Sequence, residues 1–240
     1  MSSYTVAVSG ITSTLRTVLF PAITLDKYKQ WEVALLDFTT YNSIPNITDG
    51  VNNKLHFYRG KDKNGVYSKM EEISLVTGSY EIDDINKLLQ TALGRDNIKL
   101  VANNNVLRSV IKSNYYIDFT KNQSMGEVLG FPSNTPILEK NTTYKSPEPV
   151  NIIKVNSINI TCNIVKGSYR DGTNQHVLHT FYPTVPPGFK IVEKPHNLVY
   201  LPVNTSHISD IVLNVLDQDG NLIDFRKEVI SLRLHIKPVV

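Results

Sequence analysis

The stretch Ile230-Ser231-Leu232-Arg233-Leu234-His235-Ile236-Lys237 alternates aliphatic and polar residues without a break. Successive side chains on a strand point to opposite faces, so Ile230, Leu232, Leu234 and Ile236 share one face while Ser231, Arg233, His235 and Lys237 share the other. This is a half-buried strand with a solvated face. The same period governs residues 158–164, where Ile158, Ile160, Cys162 and Ile164 alternate with Asn159, Thr161 and Asn163. Between the two segments lie HVLHTFYP, FKIVE, NLVYLPV and DIVLNVL, spaced by the turn pairs Asp171-Gly172, Pro187-Gly188 and Asp219-Gly220. Many short strands without an alternating helix describe a sandwich or barrel. Its core is expected to contain Ile158, Ile160, Ile164, Leu232, Leu234 and Ile236.

Working toward the N-terminus, Trp31 to Phe38 (WEVALLDF) is apolar on both faces, as expected for a central strand. Asn64-Gly65 stands between strand-like runs and predicts a hairpin with a Lys-rich tip. Ile82, Ile85, Leu88, Leu89, Ala92 and Leu93 recur at helical spacing, so residues 81–93 are expected to form a helix. Asp83 and Asp84 fall in its first turn, where carboxylates complement the helix dipole, and Gly94 follows its end. Ser124-Met125-Gly126-Glu127 fits a capping box and predicts a shorter helical turn. Residues 1–25 are mixed, rich in Ser and Thr and interrupted by Pro21, and read as an N-terminal arm. With no repeat and no low-complexity linker, residues 26–240 are expected to form one domain. The predicted class from these patterns is all-β, a sandwich or barrel with one short helix in a connection.

Composition supports this. Among 240 residues, Ile, Val and Thr number 22, 24 and 19 against five Ala, a strong bias toward β-branched side chains. With 41% hydrophobic and 20% charged residues the chain can bury an ordinary core. The formal net charge is +3, with no run of five or six Lys or Arg, which disfavours a specific nucleic-acid partner. No apolar stretch approaches the roughly 20 residues that span a bilayer, and no signal peptide is recognised, so no membrane partner is expected. The sequons at Asn46, Asn122, Asn141, Asn159 and Asn204 then reflect abundant Asn and Thr rather than glycosylation.

No catalytic pattern is intact, and no catalytic, cofactor-binding or metal-binding residue is assigned. His176 and His179 are three apart, which on a strand places them on opposite faces. Pro186-Pro187-Gly188 matches part of a cupin motif, but Ile191 stands where its histidine belongs. Asp217, Asp219 and Asn221 suggest a calcium loop, yet Gly220 comes two positions early, and a turn explains them better. Gly60 and Gly65 have a phosphate-loop gap without the Lys and Ser or Thr that must follow. Tyr115, Tyr116, Phe119 and Lys121 could stack single-stranded nucleic acid, but alternation assigns Tyr115, Ile117 and Phe119 to a core face. Cys162 is expected to be a buried, inert thiol.

The runs His176–Val203 (HVLHTFYPTVPPGFKIVEKPHNLVYLPV) and Ile208–Pro238 (ISDIVLNVLDQDGNLIDFRKEVISLRLHIKP), with YEIDDINKLLQ and MGEVLGF before them, resemble the penton, or minor capsid, protein of Polinton/Maverick elements and the related adintoviruses. The likeness covers roughly residues 78 to 238. It departs at Asp224-Phe225-Arg226-Lys227-Glu228, where that family commonly has Gly at the position of Lys227. The resemblance implies a non-enzymatic structural protein whose fold is a single jelly-roll β-sandwich of two four-stranded sheets, with one short helix in a connection. It also implies homopentamers at the icosahedral vertices of a virion assembled inside the host cell, surrounded by a double jelly-roll major capsid protein. A cytokine-like or lectin-like jelly-roll binding module would share the strand pattern, and an enzyme on a cupin-like barrel would need a metal.

Overall fold

The computed structural model describes residues 3–170 and 172–239; Asp171, of the Asp171-Gly172 turn, lies outside them. The chain forms two compact units, one from residues 1–44 and 155–240 and the other from residues 45–154. In chain order the first unit opens with β1 (Tyr4–Gly10), β2 (Thr14–Thr24) and β3 (Trp31–Tyr41). The second unit follows with β4 (Lys54–Tyr58), β5 (Glu71–Ser74), α1 (Ile82–Leu93), β6 (Ile98–Asn103), β7 (Arg108–Ser113), β8 (Tyr116–Asp118) and β9 (Thr143–Lys145). The chain then resumes the first unit with β10 (Ile158–Cys162), β11 (Tyr169–Arg170), β12 (Thr173–Asn174) and β13 (Val177–Phe181). It ends with β14 (Lys190–Glu193), β15 (Leu201–Pro202), β16 (His207–Leu216) and β17 (Ile230–Pro238).

The first unit stacks two antiparallel sheets, ordered β1-β17-β3-β14 and β13-β10-β16-β2. The chain crosses from one sheet to the other at almost every step, which is the jelly-roll topology, and the all-β sandwich read from the sequence is present. Between the sheets, Ile158, Ile160, Ile164, Leu232, Leu234 and Ile236 are all buried, as the alternation predicts. Phe38 packs against Phe181 with ring centroids 5.1 Å apart.

β3 is central, paired with β17 on one side and with β14 and β15 on the other. A bulge explains its unbroken apolar run. Arg233 pairs with Asp37 and Leu234 with Leu35, leaving Leu36 as the extra residue. Val33, Leu35 and Phe38 therefore all reach the core although their spacing is not strictly even. On the other face the Arg233 guanidinium donates to both Asp37 carboxylate oxygens.

Two expectations about chain organisation are corrected. Residues 1–25 do not form an arm, because β1 pairs with β17 from Tyr4↔Ile236 to Gly10↔Ile230 and β2 pairs with β16. Val6, Val8 and Leu15 enter the core, and most of the Ser and Thr residues between them occupy the other face. Nor do residues 26–240 form one domain. The stretch 45–154 is an insertion between β3 and β10 with its own core, which includes Ile85, Leu89, Ile111, Phe119 and Phe131. Its sheets are ordered β5-β4-β8 and β6-β7-β9.

Local signals inside the insertion hold. α1 spans Ile82–Leu93; the Asp84 carboxylate accepts the Glu81 backbone N–H at 3.4 Å, and Gly94, at φ 95°, donates its N–H to the Gln90 carbonyl. Ile82, Ile85 and Leu89 face inward. At the tip of the β4–β5 hairpin, Gly65 has φ 81° and the Asp62 carboxylate accepts the N–H groups of Asn64 and Val66. At 124–131 the Leu129 N–H reaches the Met125 carbonyl and the chain makes one turn without continuing as a helix.

The departure at Lys227 has a physical consequence. Glu228 donates its N–H to the Phe225 carbonyl, and both central residues, Arg226 (φ 54°) and Lys227 (φ 65°), are left-handed. Such a turn favours Gly, and L-residues there cost about 1–2 kcal/mol each. Lys227→Gly should therefore stabilise the chain by about 0.5 kcal/mol after the greater entropy of glycine in the unfolded chain is offset. Leu234→Ala should destabilise it by about 2–5 kcal/mol. Both are read from denaturant midpoints, and a neutral Leu234→Ala would contradict the packing described.

Candidate assembly surface

The residues tested for chemistry are held in structural roles. Cys162 is buried, and desolvation pushes its thiol up to about 11, away from a reactive thiolate. A ring nitrogen of His176 meets the Val165 carbonyl, and His179 Nε2 lies 3.0 Å from Glu193 Oε1, so each histidine has its own partner. Asp217 accepts the backbone N–H groups of Asp219 and Asn221, closing a turn through Gly220 at φ 85°. Among the described residues no three His, Cys, Asp or Glu side chains come together in a metal-binding arrangement. A polar cleft of about 370 Å³ in the inserted unit is lined by Asn46, Asn52, Lys121, Asn122 and Gln123, with Glu127 as its carboxylate.

The aromatic-basic segment at 115–121 is part of the inserted unit's interior. Ile117 and Phe119 are buried as expected, whereas Tyr115 is only half-buried and stacks its face under Arg59. Tyr116 meets Tyr67, and Lys61 lies over both rings. Asp118, also buried, accepts hydrogen bonds from Thr120 Oγ1 at 2.6 Å, the Thr120 N–H at 3.0 Å and Tyr58 Oη at 3.0 Å. Burial alone would raise its pKa. The Thr120 and Tyr58 hydrogen bonds and the nearby Lys121 outweigh burial and hold the carboxyl below its ordinary value.

What the first unit offers to other molecules is its two flanks. One is formed by β1 and β2, the edge strands joined by the short connection after Gly10. On β2 the pairing with β16 is interrupted: Val18 faces Asp210 and Ile23 faces Ile208, so residues 19–22 stand against Ser209 alone. The bulge thrusts out Phe20, which is 99% exposed, beside the exposed Val18 and an Arg16–Asp210 ion pair of 3.1 Å. The opposite flank is formed by the edges β13 and β14, tied by His179 and Glu193. Here lies a recess of about 170 Å³ with Phe181 and Ile191 buried at its base and Tyr182, Lys190 and Val192 exposed at its rim. The sequence reading missed both features. The break of alternation at Phe20-Pro21 was the available signal, but it was assigned to an arm.

A jelly roll carrying a large insertion between its third and fourth strands defines the class. No family model and no curated protein matches the chain. Among solved structures, the crystal structure of the selenomethionine-labelled mavirus penton protein is similar to it, with a TM-score of 0.52 and 12% identity, over 99% of this chain and 100% of that one. The chain thus has a penton-like, jelly-roll capsid fold.

The Asp118 geometry fixes the sign of a pH effect. A carboxyl whose folded pKa lies below its unfolded value contributes stability above the unfolded value, and that contribution is lost as pH falls through the folded one. Stability should therefore drop on acidification below about pH 4. Asp118→Asn should lower stability at neutral pH by about 1–3 kcal/mol and flatten the acid limb of the stability curve. An acid limb unchanged in the variant would contradict the hydrogen-bonding described.

Proposed function

We propose that the chain is a non-enzymatic structural capsid protein of the kind found in Polinton/Maverick elements and adintovirus-like viruses. It forms homopentamers at icosahedral vertices and is surrounded by a double jelly-roll major capsid protein. In this reading it resides in the virion, is assembled inside the host cell, and uses neither a specific nucleic acid nor a membrane as partner.

One observation carries the proposal. A jelly roll alone is shared by lectins, cytokines, enzymes and capsid proteins, and fold by itself does not give function. The likeness to the mavirus penton protein extends over essentially all of both chains, and so includes the inserted residues 45–154 as well as the sandwich. An insertion of that size at that place is not a requirement of the jelly roll.

Light scattering tests it. Purified protein, alone or mixed with the major capsid protein, should reach a mass near five times 27.0 kDa. Each neighbouring pair should bury at least roughly 1,000 Å². Monomers or trimers under both conditions, with no association with capsid protein, would contradict the vertex role and favour a binding module.

A further inference from the structure

We propose that Phe20 of one copy seats in the recess between β13 and β14 of the next copy, making the lateral contact of the ring. This rests on the vertex reading above. A ring closes only through heterologous contacts, in which one patch binds a different patch on its neighbour. The sandwich carries two such unlike patches, at the β1/β2 and β13/β14 ends of the same pair of sheets. Across four strands they stand on the order of 14 Å apart, on a body whose core holds them in fixed relation. One patch projects and the other is recessed.

Shape and charge agree with this pairing. A cavity of about 150 Å³ lined by apolar side chains is known to accept a benzene ring. The recess, at about 170 Å³, is of similar size, with Phe181, Val185 and Ile191 offering apolar contact and Thr184, Lys190 and Glu193 making the rest of its lining more polar. The β2 flank also carries the Arg16–Asp210 pair, and the recess carries Lys190 and Glu193, the latter partnered by His179. Each side brings one full cation and one full anion, so the two flanks can meet without an unbalanced charge in the contact. The β2 edge is poorly suited to a strand-adding partner, because the bulge breaks its backbone ladder and Pro21 has no N–H to donate. A side-chain knob remains as the means of attachment.

Disulfide trapping in the full chain tests the contact. The native chain's one thiol, Cys162, is buried, and the new positions Val18 and Val192 are exposed, so Val18→Cys, which keeps the Phe20 ring, and Val192→Cys should fold. Under mild oxidation neither variant alone should cross-link. Coexpressed with a size tag on one of them, the two should form a mixed dimer, and both substitutions on one chain should give a ladder that ends at five copies. Phe20→Ser should weaken assembly roughly tenfold or more while leaving the unfolding midpoint of the monomer unchanged. If the wild type assembles to pentamers but Val18→Cys cross-links to itself, to the major capsid protein or to nothing, the contact is wrong and the vertex reading stands. If the wild type never assembles, with or without the major capsid protein, both are overturned.

Discussion

The jelly roll depends on the pairing register of β17 between β1 and β3. Its side chains have a period of two, so a slip of one residue would turn Ile230, Leu232, Leu234 and Ile236 outward and place Ser231, Arg233 and His235 in the core. The full ladder with β1 fixes one edge of this register, and the bulge at Leu36 of β3 fixes the other. Across that bulge the Arg233–Asp37 pair aligns the outer face while Leu35 and Phe38 remain directed inward. Asp37 is buried while Arg233 is half-exposed, so the guanidinium satisfies a carboxylate that the sheet takes out of water. The pair's geometric match to the register is what the sheet retains.

From this register follows the arrangement of the edges. With β17 and β3 central in one sheet and β10 and β16 central in the other, the edges are β1 and β14, and β2 and β13. Edge strands are hazards, since unpaired backbone groups invite further strands. The chain blunts β2 with a bulge and a proline, and keeps β13 and β14 short. What these edges present is side chains, Phe20 on one flank and Tyr182 and Val192 on the other. Edges of this kind suit a protein that assembles through its flanks.

Much of this was legible in the sequence where the pattern was regular. Ile158 to Ile164 and Ile230 to Ile236 reveal their burial by alternation, Ile82 to Leu93 reveals a helix by its spacing and its acidic first turn, and Asn64-Gly65 marks its hairpin. Irregular geometry was not legible. The first two strands were hidden by their Ser and Thr residues, whose outward placement looks the same in sequence as an unstructured arm. The turn at Arg226-Lys227 adopts left-handed conformations without the glycine that would announce it. The insertion begins at Ile44-Pro45 and ends at Lys154-Val155 within ordinary mixed sequence, with no polar linker to separate two cores. At Phe20 the only signal is the break of alternation before Pro21, because the exposure of the ring comes from a bulge, which is a property of the pairing with β16 and not of β2 alone.

The chain combines a two-sheet sandwich whose flanks differ with an inserted unit that has its own core, and the proposed vertex role rests on the surfaces of the former. Electron cryomicroscopy of particles formed with the major capsid protein tests this most directly. The account predicts density for five copies of this two-sheet fold around each fivefold axis, with the β1/β2 flank of one copy against the β13/β14 flank of the next. Vertices without this fold, or copies of it at positions of any other symmetry, would contradict it.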